Sequence, residues 1–354
     1  MGVVRFATIG TSGICERFLE ALEEVEGAEC VATYSRSLDR ARSFGERYGA
    51  RLFFDDLEEL AHRADVDAVY VASPNGLHAA QALAMISGGK HVLVEKSLAA
   101  CEDQAREVFD AARERGVVVM EAMRNLHVPS FGAIERIVRS ELGPVRLATF
   151  RFSKVTSRMS RFRSGERLNI FDPAFAGGAL MDIGVYCVEP AVALFGRPDT
   201  IRALAVTDTV PGCAADDPCD TIDLAGEALL GYGDKVVSLS YGKVSDDLLP
   251  SQIAGELGTL VWDQTSCPVN LRIHAHEDRG MLFRMEEMDA QPVPVDVPER
   301  DMACEIEDFV AAVNGAGEAL ALRDRLERVT LDSLAVMDEI RRQTGVRFPF
   351  DDGR

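Results

Sequence analysis

The chain is poor in positive charge. Lys plus Arg total 38 against 58 Asp plus Glu, a formal charge of −20 over 354 residues. Such a surface repels phosphate backbones and anionic membranes, so neither nucleic acid nor a membrane is an expected partner. Lysine is scarcest: only Lys90, Lys96, Lys154, Lys235 and Lys243 occur, leaving 38 − 5 = 33 arginines. None of the 8 cysteines forms a C-x-x-C pair, and no metal-ligand cluster is evident. Zinc and disulfide frameworks are therefore not expected, and a cytoplasmic protein with reduced thiols is. Long apolar runs are missing too. His78–Gly89, a mostly apolar stretch without charge, falls short of the roughly 18 residues that suggest a membrane span. Met1-Gly2 leads straight into an apolar segment, with neither the basic start nor the cleavage site of a signal peptide.

Hydrophobic residues make up 47% and charged residues 27%, as in a folded globular protein. At roughly 100–200 residues per domain, the length suggests two domains. The first third alternates strand and helix. Apolar strands are expected at Val3–Ile9, Cys30–Tyr34, Arg51–Phe54, Ala68–Ala72, His91–Val94 and Val117–Glu121, with amphipathic helices between them. This rhythm implies an α/β fold whose N-terminal domain, residues 1–123, is a doubly wound parallel sheet. After Met123 the rhythm changes. Helices are expected at 130–140, Gly178–Phe195, Glu299–Asn314 and Asp324–Thr344, and an extended run at 145–155. Strand-like segments crowd 200–290: Thr200–Thr207, Ala225–Gly231, Lys235–Tyr241, Thr259–Trp262, Val269–His274 and Met281–Met288. Residues 124–354 thus read as an α+β domain with a large, open, mostly antiparallel sheet. Residues 208–220, rich in Asp, Pro and Gly, read as a loop.

The first strand ends in Gly10-Thr11-Ser12-Gly13-Ile14-Cys15. Against the dinucleotide fingerprint G-x-G-x-x-G/A, Gly10 fits, while Ser12 and Cys15 replace the second and third small residues. A tight turn into a helix N-terminus still offers free N–H groups to a pyrophosphate. The second strand ends in Ser35-Arg36-Ser37, with no Asp or Glu to bind ribose hydroxyls. Ser35, Arg36 and Arg40 suit a 2′-phosphate, which favours NADP over NAD. Ser73-Pro74-Asn75 and His78 follow strand four, and Glu95-Lys96-Ser97 ends strand five, where parallel sheets bind ligands. A lysine here, in a chain that otherwise writes Arg, suits a group with a tunable pKa. In Gly177-Gly178-Ala179-Leu180-Met181-Asp182-Ile183-Gly184-Val185-Tyr186, Asp182 and Tyr186 lie four apart and share a helix face, a candidate proton-handling pair.

The ordered set of the Gly10 turn, SRS at 35–37, SPNGLH at 73–78, EKS at 95–97, EAMR at 121–124, GGALMDIGVY at 177–186 and EIEDFV at 305–310 resembles the Gfo/Idh/MocA superfamily (glucose–fructose oxidoreductase, inositol 2-dehydrogenase and relatives). The resemblance runs nearly end to end. It implies a Rossmann domain followed by an open-sheet domain that commonly forms an oligomer face. It also implies a catalytic lysine at the E-K-P position, here Lys96, with partners at Asp182 and Tyr186. Three departures stand out: Ser97 replaces the proline, Ser12 replaces the second glycine, and Asn169-Ile170-Phe171 stands where many relatives carry Trp-Arg.

The expected reaction is reversible hydride transfer between a nicotinamide and a carbinol or carbonyl carbon of a sugar, polyol or cyclic diol. Lys96, Asp182 and Tyr186 are the catalytic candidates. Gly10, Thr11, Ser12, Gly13, Ile14, Ser35, Arg36, Arg40, Ser73, Pro74, Asn75, His78, Glu95, Lys96 and Arg124 are the cofactor-binding candidates. An NAD-dependent glycosidase with a transient redox step and a non-catalytic NAD(P)-sensing regulator are the alternatives. Alternation in the second-domain sheet, as at Val237, Leu239 and Tyr241, predicts an apolar face that needs a cover, and hence a homodimer or dimer of dimers.

Overall fold

Apolar residues alternate along the first six strands and face two different layers. A computed structural model describes residues 2–214, 216–276 and 289–351. Strands β1 (Val4–Ile9), β2 (Ala28–Tyr34), β3 (Leu52–Phe54), β4 (Ala68–Val71), β5 (His91–Glu95) and β6 (Val119–Ala122) form an all-parallel sheet in the order β3-β2-β1-β4-β5-β6. Val4, Phe6, Tyr70, Leu93 and Met120 point to one side, in the same core as Phe18 and Phe309. Ile9, Val69, Val71, Val92 and Val94 point to the other, with Ala82, Met85 and Phe109. The strand order reverses between β1 and β4, so a crevice opens above their carboxyl ends.

Among the described residues the second sheet has eight strands: β7 (Val145–Ser153), β8 (Thr200–Thr209), β9 (Thr221–Gly231), β10 (Val236–Gly242), β11 (Ser251–Gly255), β12 (Gly258–Asp263), β13 (Val269–Ala275) and β14 (Gln291–Pro292). Their order is β14-β13-β12-β11-β7-β10-β9-β8. Among the described residues, only β7 and β10 pair in parallel in this sheet, and its other pairings are antiparallel. Strand β11 was not anticipated, and the expected strand Met281–Met288 lies outside the described residues. The last two helices, Met302–Val313 and Gly317–Thr344, return to the first sheet. There Phe309 packs against Phe6, ring centroids 5.7 Å apart.

The expected need for an outside cover over Val237, Leu239 and Tyr241 is corrected. All three are buried within this chain, because helix Val185–Phe195 packs on β7 and β10. The opposite face is the open one. It displays Leu147, paired with Val236, and Leu229 on the neighbouring strand, all exposed. The stretch Pro173–Phe195 is long and apolar enough to cross a membrane by length and composition, but most of it is buried inside the protein. It is a core segment. The single helix expected at Gly178–Phe195 is in fact a π-helical turn, Leu180–Gly184, leading into the α-helix Val185–Phe195.

Candidate active site

The turn after β1 is built around Gly10. Its φ of +124° is disfavoured for L side chains, and a Cβ there would stand 2.7 Å from the Ala72 carbonyl oxygen. Ser12, by contrast, sits at φ −91° in ordinary extended backbone, so losing the second glycine imposes no conformational cost. Ser12 precedes helix Gly13–Leu22, and its side chain makes no cap hydrogen bond to that helix. Its first N–H groups are donors for an anion. Cys15 is buried and would lie 3.2 Å from a Gly10 Cβ, filling the space beside the turn.

A cleft of about 980 Å³ runs from this turn to the second sheet. Its lining includes every cofactor candidate except Gly13. Ser35, Arg36 and Arg40 stand at one end. Ser37 caps helix Leu38–Gly45 by accepting from the Arg40 backbone N–H at 3.4 Å. Three candidates in the wall are held by protein partners. Ser73 Oγ donates to Gln81 at 2.7 Å, and Asn75 Nδ2 to the Ala176 carbonyl at 3.2 Å. His78 is fully buried, its Nδ1 and Nε2 lying 2.9 and 2.8 Å from the carbonyl oxygens of Ser97 and Ser73. Burial pushes its pKa down, so a neutral ring donates to one carbonyl and ties together the loops after β4 and β5.

At the other end the first sheet meets the second. Lys96 Nζ donates to Asp182 Oδ1 at 2.9 Å and to the Asp182 carbonyl at 2.8 Å. Its ammonium lies 5.2 Å from the Tyr186 ring centroid. The Arg124 guanidinium lies 5.7 Å from the same ring and pairs with Asp301 at 2.9 Å. Phe152, at the end of β7, meets Tyr186 edge-on at 5.7 Å. Residues nearly ninety positions apart in sequence thus converge on one crevice. The Lys96–Ser97 peptide is cis. Ser97 Oγ donates to the Met181 carbonyl at 3.3 Å, a hydrogen bond in place of a proline ring.

The electrostatics follow from burial and from these partners. Burial disfavours the Lys96 ammonium, but Asp182, Tyr186 and Glu95 overcome this and hold its pKa above the ordinary lysine value. Burial likewise disfavours the Asp182 carboxylate, yet Lys96 and Lys243 hold it well below the usual carboxylate range. Burial raises the Tyr186 phenol, with Lys96 and Arg124 pulling the other way. Glu95, hydrogen-bonded to the Tyr70 hydroxyl, is also raised by burial, against the pull of Lys96.

The sequence reading missed several groups here. Lys243 contacts the second oxygen of Asp182 at 2.8 Å. Phe152, Arg158, Asn169, Ile170 and Phe175 complete the wall of the cleft. Only the rarity of lysine offered a signal for Lys243.

Residues 4–123 match an oxidoreductase family with an NAD-binding Rossmann fold, Gfo/Idh/MocA, and residues 133–261 match a C-terminal domain of that family. Over 351 residues the chain is 36% identical to scyllo-inositol 2-dehydrogenase (NADP(+)) IolU of Bacillus subtilis, covering 99% of each. It is 31% identical to dTDP-3,4-didehydro-2,6-dideoxy-alpha-D-glucose 3-reductase of Streptomyces violaceoruber, over 89% of this chain and 87% of the relative. Among solved structures, KijD10, a 3-ketoreductase from Actinomadura kijaniata in complex with NADP and TDP-benzene, superposes with a TM-score of 0.78. The two are 26% identical, with 98% of this chain and 99% of that one covered. With its Rossmann sheet, its open second sheet and a lysine at the crevice between them, this chain belongs to the Gfo/Idh/MocA oxidoreductase family.

Proposed function

We propose that the protein is an NADP(H)-dependent oxidoreductase acting on a carbinol or carbonyl carbon of a sugar, polyol or cyclic diol. The observation that carries this reading is the meeting of Lys96, Asp182 and Tyr186 in the same cleft as the Gly10 turn. The residues present fit a dinucleotide: a Cβ at Gly10 would intrude on the turn, and the uncapped N–H groups of helix Gly13–Leu22 suit a pyrophosphate. Ser35, Arg36 and Arg40, with no carboxylate at the end of β2, suit the 2′-phosphate of NADP. The relatives named for NADP(+) and for inositol or deoxysugar substrates support the same reading.

When bound, the nicotinamide supplies or accepts the hydride. Tyr186 takes the hydroxyl proton in the oxidising direction and returns it in the reducing one. Lys96 and Arg124 favour the phenolate that burial disfavours. Asp182, ionised and about one-third exposed, orients Lys96 and offers an acceptor to a substrate hydroxyl. Retention of the Lys96–Asp182 pair argues for catalysis over cofactor sensing. A cytoplasmic homodimer, joined through the open face that carries Leu147, Val236 and Leu229, completes the proposal.

The test is a panel of sugars, inositols and aromatic dihydrodiols, assayed with NADP⁺ and NAD⁺ by nicotinamide absorbance. Turnover with NADP⁺ on at least one polyol or sugar is expected. Tight co-purified NAD⁺ that is not exchanged during turnover would instead favour the glycosidase.

A further inference from the structure

We infer that Lys243 is a positioning residue of this active site: it locks the Asp182 carboxylate and leaves the Lys96–Asp182–Lys243 group with one positive charge in excess beside Tyr186. Lys243 follows β10, and its side chain is 1% exposed. Its Nζ stands 2.8 Å from Asp182 Oδ2 and 3.3 Å from the Ile170 carbonyl, and over the Phe171 ring at 4.8 Å. A buried ammonium is costly unless it is paired and hydrogen-bonded. Among the described residues its ion pair is with Asp182 alone. Burial holds its pKa below the ordinary lysine value, with Asp182 pulling the other way.

Two consequences follow. The first is orientation. Asp182 is 38% exposed to the cleft, so a carboxylate held through Oδ1 alone could turn towards solvent. With Lys96 on Oδ1 and Lys243 on Oδ2 it cannot, and Lys96 keeps a proton free after its two bonds to Asp182. The same ammonium ties the Ile170 segment of the cleft wall to Asp182.

The second consequence is charge. Lys96 and Asp182 alone would be a neutral pair; Lys243 makes the group cationic. The other groups facing it do not cancel this excess. Burial raises the carboxyl pKa values of Glu95, Glu189 and Asp223, which weakens the negative charge they set against the group, and lowers that of His78. Arg124 pairs with Asp301, which Arg17 shares, and adds its own positive charge beside Tyr186. A phenolate at Tyr186 therefore faces Lys96 and Arg124, and Lys243, by occupying Asp182, leaves the Lys96 charge less compensated there.

The test compares the wild type with Lys243→Met and Lys243→Gln, the latter keeping a donor for Asp182 and Ile170 without the charge. In the oxidising direction, activity rises with pH as Tyr186 ionises. Both variants should move that rising limb by about one pH unit to higher pH and lower kcat about tenfold at neutral pH. KM should rise more in Lys243→Met, which loses the clamp, than in Lys243→Gln. NADPH affinity, read by fluorescence titration, reports folding and should stay at the wild-type level. An unmoved limb in folded Lys243→Gln would overturn the inference. So would failure of both variants to bind NADPH, which would assign Lys243 to the fold. The inference rests on the proposed hydride-transfer reading; a wild type inert across the whole panel refutes that reading, whereas an active wild type with an unmoved limb refutes this inference alone.

Discussion

Removing the Lys96 ammonium should make the Tyr186 phenol a far weaker acid, and the structure sets the size of the effect. The ammonium lies 5.2 Å from the ring centroid, and both side chains are largely buried. At an effective dielectric constant of about 20, one charge at that distance is worth about 3 kcal/mol, or roughly two pKa units. Lys96→Met leaves Asp182 paired with Lys243, so the group beside Tyr186 becomes neutral and the full charge is lost. Oxidation needs the phenolate, so a higher phenol pKa moves the rising limb of kcat/KM to higher pH. At neutral pH the loss should be about 10²-fold, within the range of proton-transfer groups. Part of it should return as pH rises. Tyr186→Phe should show a comparable loss with no alkaline recovery, because no phenol remains to ionise. The assay is initial-rate nicotinamide reduction across pH, with NADPH titration as the control for folding. Turnover of Lys96→Met near the wild-type level at neutral pH, or a loss independent of pH, would refute the reasoning.

Arg36→Ala should weaken NADPH about tenfold and leave NADH nearly unchanged in fluorescence titrations, since a hydrogen bond to a charged group is worth about 1.5–3 kcal/mol. Glu189 and Glu121 form a hydrogen-bonded carboxyl pair whose pKa values burial raises. Glu121 also accepts from the Leu98 N–H at 2.7 Å and the Thr330 hydroxyl at 2.6 Å, so Glu189 carries the shared proton. A raised carboxyl pKa stabilises the fold below the unfolded value and loses that contribution as pH rises through the folded value. Glu189→Gln, which keeps a donor, should therefore melt less pH-sensitively than the wild type on the alkaline side, read by thermal unfolding. Leu147→Glu, placed opposite Val236 on the open sheet face, should convert the proposed dimer to a monomer by light scattering.

Much of the first sheet was legible because a buried parallel strand leaves a local mark. Ala-Val-Tyr-Val at 68–71 is buried throughout, and a run like that has few other readings. Strand β11 carries no such mark: Ser251-Gln252-Ile253-Ala254-Gly255 has one large apolar residue and ends in glycine. Its place is set by pairing with β7 and β12 on either side, which is tertiary information. Helix Met159–Arg163 is a single turn or so, too short for periodicity to register. The alternation at Val237, Leu239 and Tyr241 correctly announced an apolar face. Alternation names a face that must be covered, however, and not what covers it; here helix Val185–Phe195 of the same chain does so.

The site divides in the same way. Gly10 and Lys96 stand just past the ends of strands and Asp182 in the turn that opens a helix, where residue type and position together limit the chemistry a side chain can do. Lys243 follows a strand in the middle of a sheet-rich region, among Tyr241, Gly242 and Val244, and nothing local separates it from a surface lysine. Its position depends on Asp182, 61 residues earlier in the numbering of the chain, and on the π-helical turn that carries that carboxylate. Yet composition held a trace of it. A chain that writes Arg for nearly every cation keeps Lys at 96 and at 243, and both ammonium groups converge on one carboxylate. An arginine could satisfy the charge at either place. Its planar fork would engage both oxygens of Asp182 from one side, leaving no oxygen for the second cation and no compact donor facing Tyr186. Two point-like ammonium groups can share a single carboxylate, one on each oxygen, and that geometry is the physical reason for lysine at both positions.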